Sequence, residues 1–269
     1  MVAIVSWNIQ NGKGCDGRID LARIARVVKA MGEADVVCLQ EVARNDPEYQ
    51  NGADQAAELL QFFPGFTLHF GAALNRGGHR QYGNMILSRF PILQSFDHLL
   101  PDPPAEKHMQ RQAAEVVLQT AAGPLRVVTT HLEYYAAKNR AAQIARLREL
   151  QAEVAAGEAA PRKPDSSPYD VVPRPSSLVL CGDLNLLPDD ADYRALFAPP
   201  FVDAWRHHRK SEKHPATTGL HDRQQWPMGG HCRDYFAVTP DVAARIASIE
   251  MDAATDASDH QPLRLVVGS

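Results

Sequence analysis

Two hydrophobic periods alternate along this chain. Short apolar runs rich in β-branched residues read as buried strands at 2–6, 36–39, 178–180 and 263–267. Further strand signals lie at 67–70, 84–88, 92–99, 235–238 and 245–250. Runs at 114–118 and 125–130 flank Ala122-Gly123-Pro124 and predict a hairpin. Leu21, Ile24, Val27, Val28 and Met31 recur at helical spacing, with Gly32 where a C-terminal cap belongs. A second helix is expected over 56–63, ended by Pro64-Gly65. A long helix is expected over 136–156, with Ile144, Leu147, Leu150 and Val154 on one face, and a short one after Pro188-Asp189-Asp190. Five prolines make 157–176 a surface loop. From Ala204 to Cys232 no period is sustained, so a long irregular segment is expected.

Helices and strands mix without strict βαβ alternation, and several strands have short connections. The expected fold class is therefore α+β, two mixed, largely antiparallel sheets packed together with helices outside. Candidate site residues fall on both sides of the proline-rich loop, so 1–269 is read as one domain.

With 45% apolar and 22% charged residues, the chain has enough apolar side chains to bury a sizeable core. A net charge of -4 gives no global pull toward nucleic acid. Only a locally basic groove or a bound metal could supply one. Cys15, Cys38, Cys181 and Cys232 form no CxxC pair and are expected as small buried hydrophobes. Residues 1–5 enter the first strand with no basic leader, so a cytoplasmic location is expected. No apolar run approaches the roughly 18 residues of a membrane span, and no membrane anchor is expected.

Chemistry enters at the strand ends. Cys181-Gly182-Asp183-Leu184-Asn185 closes one apolar run, and Ser258-Asp259-His260 precedes another. Two such oxygen-rich clusters suggest a hydrolase that uses a hard metal ion. Five more fragments stand in a consistent order: Ser6-Trp7-Asn8, Gln40-Glu41, Tyr82-Gly83-Asn84 with Ile86-Leu87-Ser88-Arg89, Thr130-His131-Leu132, and Asp234-Tyr235. Together the set resembles the endonuclease/exonuclease/phosphatase superfamily, the deoxyribonuclease I-like metal-dependent phosphoesterases.

The resemblance implies a four-layer α/β/β/α sandwich and a magnesium- or manganese-dependent phosphoesterase. Glu41 and the amide oxygen of Asn8, at the ends of the first two strands, would hold the metal, and Asp259 would approach it from the other half. Asp183 and Asn185, two apart in an extended segment, would orient and deprotonate the attacking water. An Asx turn is the structural alternative there. His260, paired with Asp234, would donate to the phosphoryl oxygen or act as acid/base. His131 would contact the phosphoryl group, and Asn84 and Arg111 are candidate substrate contacts. Arg140 and Gln143, one helical turn apart, are expected to pack rather than act. One- and two-metal schemes both stay open.

Specificity is expected in residues 205–233, which hold five of the eleven histidines, two tryptophans and several cations. That mixture suits stacked bases, inositol phosphates or a solvated loop. The loop Arg76-Gly77-Gly78-His79-Arg80 is expected to face it across the cleft. The expected partner is a phosphorylated substrate, DNA or RNA among the candidates, with no protein partner. The leading expectation is a phosphodiesterase of nuclease or DNA-end-processing type. The alternatives are a phosphatase of a small metabolite, inositol phosphate or lipid headgroup, and a catalytically inactive binding protein.

Overall fold

A computed structural model describes residues 1–268. The strands are β1 (Val2–Asn8), β2 (Val36–Arg44), β3 (Thr67–Arg76), β4 (Arg80–Ser88), β5 (Ile92–Leu99), β6 (Gln112–Thr120), β7 (Gly123–His131), β8 (Leu178–Asp183), β9 (Val202–Asp203), β10 (Asp234–Val238), β11 (Ile246–Met251) and β12 (Leu263–Val267). The helices are α1 (Leu21–Ala30), α2 (Gln55–Gln61), α3 (Ala137–Ala159), α4 (Ala191–Leu196), α5 (Ala204–Arg209) and α6 (Pro240–Ala243). They build two six-stranded sheets, ordered β11-β12-β1-β2-β4-β3 and β5-β6-β7-β8-β10-β9. In each sheet one central pair is parallel, β1 with β2 and β7 with β8, while the other pairs are antiparallel.

The sheets face each other through β-branched and small residues. Ile4, Val36, Cys38 and Ile86 of the first meet Val116, Val127, Cys181 and Phe236 of the second. On the outer face of the first sheet, Val5, Trp7, Val37 and Leu39 receive Leu21, Ile24 and Val28 of α1 and Leu59 of α2. On the outer face of the second, Val128, Leu178 and Leu180 receive Ile144 and Leu147 of α3. The expected sandwich with helices outside is what forms. Three of the four cysteines are buried apolar groups, as expected, and Cys15 is half-buried.

Asp20 and Asp54 cap α1 and α2 through backbone N–H groups of Arg23 and Ala57. The proline-rich segment leaves α3 at Ala159 and is tied back where Arg174 pairs with buried Glu115 at 2.7 Å. Glu115 also holds Arg126, only 1% exposed, in the outer face of the second sheet. Burial opposes its charge, but His98, Arg174 and Arg126 outweigh it and hold the Glu115 carboxyl far below the usual range.

Several boundaries differ from expectation. β2 does not end near Leu39 but runs to Arg44, with a bulge between Leu39 and Val42. Asn84 lies inside β4 rather than at a strand end. Arg76 and Arg80 pair across the tight β3–β4 hairpin. There Arg80 binds Asp46 at 2.8 Å, and no residue from 76 to 80 lines the cleft described below. The segment expected to be irregular begins as α5, capped by Asp203. Among the described residues, no helix is long and apolar enough to cross a membrane.

Candidate active site

Both parallel pairs point their carboxyl ends the same way, and the candidate residues gather there. Asn8 ends β1, His131 ends β7, Asp183 ends β8 and Asp234 opens β10. A cavity of about 360 Å³ lies over these ends, lined by Glu41, Arg111, His131, Asp183, Asn185, Asp259 and His260 among others. Crevices outside strand carboxyl ends are where open sheets place ligands.

Local backbone sets each side chain. Glu41 has φ +59° at the β2 bulge, where the extra residue re-aims its side chain into the cavity. Gly182 has φ +139°, and a Cβ there would stand 1.9 Å from the Thr130 carbonyl oxygen. Only glycine lets β8 lie that close to β7, which brings Asp183 level with His131. Asn185 is left-handed, at φ +53°, not extended as expected. Its N–H donates to Asp183 Oδ1 at 3.1 Å, the anticipated Asx turn, yet both residues still line the cavity. The Asn185 amide is held by donation to the Leu132 carbonyl at 2.9 Å.

The termini of the chain lock the site. The Trp7 indole N–H donates to the His260 carbonyl at 2.9 Å, and the Ser258 hydroxyl to the Asn8 carbonyl at 2.8 Å. Thr217, fully buried, donates to Asp234 Oδ2 at 2.6 Å and accepts the N–H groups of Arg233 and Asp234.

The charges then sort themselves. His260 Nδ1 lies 2.8 Å from Asp234 Oδ2, and its Nε2 3.6 Å from Asp183 Oδ2. Burial disfavours the imidazolium, but Asp234, Asp183 and Asp259 outweigh it and hold the His260 pKa well above its ordinary value. His131 Nε2 also sits near Asp183, at 3.2 Å, yet burial and the Arg111 and His260 cations hold it well below the ordinary value. Proton affinity is thus raised at one imidazole and lowered at the other, on either side of one carboxylate. Burial, reinforced by Asp234 and opposed by His260 and Asn8, raises the Asp183 carboxyl to about 6. Burial also raises Glu41, helped by the Asp259 charge.

Asn8 donates its amide N–H to Glu41 at 3.0 Å and to Asp183 at 3.1 Å. Its oxygen accepts from the Gln10 N–H, so it does not face Glu41 as expected of a metal ligand. Asp259 Oδ2 accepts from Gln225 at 2.9 Å and from the Trp226 indole at 3.0 Å. Arg111 is buried and bonded to Glu133 at 3.3 Å rather than solvated. Asn84 is not brought to the cavity: it donates to the Gln112 carbonyl at 3.2 Å and ties the two sheets together. Arg140 and Gln143 pack as expected, bonded to Asp192 and to the Glu133 N–H.

Sequence reading passed over Gln10, Tyr134, Tyr135 and Gln225, all of which line the cavity. It gave Trp226 and Arg233 only to an undivided loop. The adjacent aromatics beside the Thr130-His131-Leu132 motif were the available signal. The histidines of 205–233 divide. His214 is buried on Asp203 at 2.6 Å, while His231 accepts from Arg233 at 2.7 Å beside the cleft.

Asp183, Asp234 and His260 place ligand-type atoms within 4.8 Å of one another. In that trio His260 Nδ1 is already engaged by Asp234 at 2.8 Å, and an imidazole is a softer donor than magnesium favours. Glu41 and Asp259 fit a divalent cation better. They are cavity-facing carboxylates, the Asp259 charge helps to raise the Glu41 carboxyl, and oxygen donors of this kind suit magnesium.

No curated protein sequence matches the chain. Solved structures match over its whole length. An endonuclease/exonuclease/phosphatase from Beutenbergia cavernae is 23% identical, with a TM-score of 0.69 over 100% of this chain and 72% of that one. A mannosyl-6-phosphatase from Bacteroides thetaiotaomicron is 15% identical, with a TM-score of 0.73 over 100% of both chains. The Neisseria 3′ phosphatase NExo, bound to a product DNA hairpin, is 19% identical, with a TM-score of 0.69 over 100% of both. These likenesses establish the fold. The sequence profile of the Endonuclease/Exonuclease/phosphatase family matches residues 5–260, and the chain belongs to that family.

Proposed function

We propose that this protein hydrolyses phosphodiesters of the nucleic-acid type with a bound magnesium or manganese ion. The observation that carries the reading is the placement of His131 and His260 on either side of Asp183, with Asp234 behind His260, in a cavity also lined by Glu41 and Asp259. Glu41 and Asp259 would hold the cation, with Asn8 joining them once its amide turns. The ion would supply charge neutralisation on the non-bridging phosphate oxygens.

The protein's own groups account for the rest. Asp183, titrating near 6, is ionised at neutral pH and accepts the proton of the attacking water. Asn185 orients that water from the same side. His260, kept cationic by Asp234, donates to the phosphoryl group as negative charge develops. Neutral His131 and Arg111 bind the remaining phosphoryl oxygens. The water oxygen bonds to phosphorus as its proton passes to Asp183, the ester P–O bond breaks, and the leaving oxygen takes a proton from solvent.

A second reading, phosphatase of a small phosphorylated metabolite, is favoured by the chain's net charge of -4 and by its likeness in fold to the mannosyl-6-phosphatase. One substrate panel separates the two. It comprises bis-p-nitrophenyl phosphate, p-nitrophenyl phosphate, single- and double-stranded DNA, and inositol phosphates, each with magnesium, manganese or EDTA. Asp183→Asn protein serves as the blank. Metal-dependent diester cleavage absent from the blank supports the first reading. Cleavage confined to monoesters moves the assignment to the second, and no turnover anywhere sinks both.

A further inference from the structure

We propose that the mouth of the cavity is a subsite for an unpaired nucleobase, walled by Tyr134, Tyr135 and Trp226, with Arg233 and Lys107 positioned for the phosphates beside it. The inference rests on the reading of the cavity as a phosphate-ester site and names the group that ester carries.

Tyr134 and Tyr135 are 37% and 58% exposed, large aromatic surfaces left in water at the entrance. The rings meet at steep angles. Tyr134 and Tyr135 lie 4.8 Å apart at 90°, and Tyr134 and Trp226 lie 6.0 Å apart at 82°. A corner of this kind lets a flat ring stack on one member while its edge meets the face of the next. The corner is held in place. The Trp226 indole is bonded to Asp259, and Gly219 passes so close that a Cβ would stand 2.8 Å from the Trp226 Cβ. Tyr135 is anchored by its own N–H, which donates to Glu133 at 2.8 Å.

Two cations lie against the rings of the same corner. The Arg233 guanidinium lies 4.8 Å from the Tyr134 centroid and 5.5 Å from that of Trp226. It also donates to Asn185 at 3.3 Å and to His231 at 2.7 Å. The Lys107 ammonium lies 3.6 Å over Tyr135. Among the described residues, neither cation forms an ion pair with a carboxylate, whereas Arg111 is paired with Glu133 through its Nε. The cavity therefore runs from an acidic floor to a cationic, aromatic mouth. A nucleotide has the matching polarity, with a flat ring and phosphates on both sides. Stacking needs a free π-face, which a base inside a duplex does not offer. With a net charge of -4, the chain also has no overall attraction for duplex DNA.

The test is isothermal titration of Asp183→Asn protein with magnesium, repeated on the wild type with EDTA. The ligands are a single-stranded thymidylate tetramer, the same backbone with abasic spacers, the hairpin duplex form, and thymidine monophosphate. The tetramer should bind at least about fivefold more tightly than its abasic analogue, the lower end of one stacked base. Tyr135→Ala should remove most of that preference and Tyr135→Phe should restore it, with circular dichroism checking that each variant is folded. Thymidine monophosphate binding as well as the tetramer would support the subsite and name a free nucleotide as its source. Equal affinity for base-bearing and abasic ligands, or tighter binding of duplex, overturns the proposal. Ester turnover alongside base-independent binding removes the subsite alone. Base-dependent binding without turnover of any ester removes the phosphoesterase reading alone.

Discussion

Replacing Asp183 by asparagine should stabilise the metal-free protein at neutral pH while abolishing turnover. The carboxyl ordinarily titrates at 3.8 and is held here at about 6, chiefly by burial and by Asp234. A group whose pKa rises on folding adds its stability below the unfolded value and loses it as pH climbs through the folded one. Above about pH 6 the ionised carboxylate therefore weighs against the fold by about 3 kcal/mol, at 1.36 kcal/mol per tenfold change. Asparagine cannot ionise, so it removes this cost. It also offers one acceptor oxygen where Asp183 offers two, and the Asn185 N–H and the Asn8 amide use both. One stranded donor returns about 1 kcal/mol. The expected net gain is about 2 kcal/mol at neutral pH, shrinking toward pH 4. Urea unfolding of both proteins with EDTA, across that range and at constant slope, measures it. A variant less stable than wild type at neutral pH, or a difference that does not vary with pH, would refute the reasoning.

Turnover should rise on the acid side as Asp183 ionises near pH 6 and fall on the alkaline side as His260 loses its proton. A rate profile flat through pH 6 would contradict the first assignment, and one with no fall across the alkaline range would contradict the second. Gly182→Ala should unfold the chain or cut its soluble yield severely, since the new Cβ meets the Thr130 carbonyl; a folded, active variant would show that β7 and β8 can part. Arg126→Ala should cost about 3 kcal/mol or more by leaving Glu115 short of a buried partner. Thermal unfolding checks this, and kcat should stay near wild type because Arg126 lies in the outer face of the second sheet.

Much of this architecture was legible because burial imposes period. The interior strands sit between two apolar layers and read as continuous runs, and α1 shows its stripe from Leu21 to Val28 with Gly32 after it. Edge strands were harder. β3, the edge strand of the first sheet, extends to Arg76 well beyond its apolar start, because its far end is exposed and needs no hydrophobic signal to pair with β4. The Glu41 bulge was invisible for a related reason: its positive φ falls on a glutamate, where no glycine marks it. Among the candidate residues, those tied to short motifs at strand ends were brought together, because parallel pairing aligns β1 with β2 and β7 with β8. Asn84 read the same way in sequence, but its bond to Gln112 serves the seam between the sheets. The mouth of the cavity was the least legible part, because Tyr134, Tyr135, Trp226 and Arg233 come from distant segments that no local period connects.

The arrangement of Asn8 bears on how the site would meet a cation. Four carboxylates, Glu41, Asp183, Asp234 and Asp259, surround one small space, and their mutual repulsion adds to burial in raising two of them. His260 offsets this on one side. On the Glu41 side the Asn8 amide N–H, bonded to two carboxylates at once, is a weak stand-in for positive charge. A divalent ion favoured by Glu41 and Asp259 would relieve the same repulsion more completely and free Asn8 to present its oxygen. Binding would then be linked to folding, because the ion removes a cost that the folded metal-free chain carries and the unfolded chain does not. The acidity that makes the site costly in isolation is thus the source of its expected affinity for magnesium or manganese, and the stability gained by Asp183→Asn and the stability gained on metal binding draw on the same crowded carboxylates.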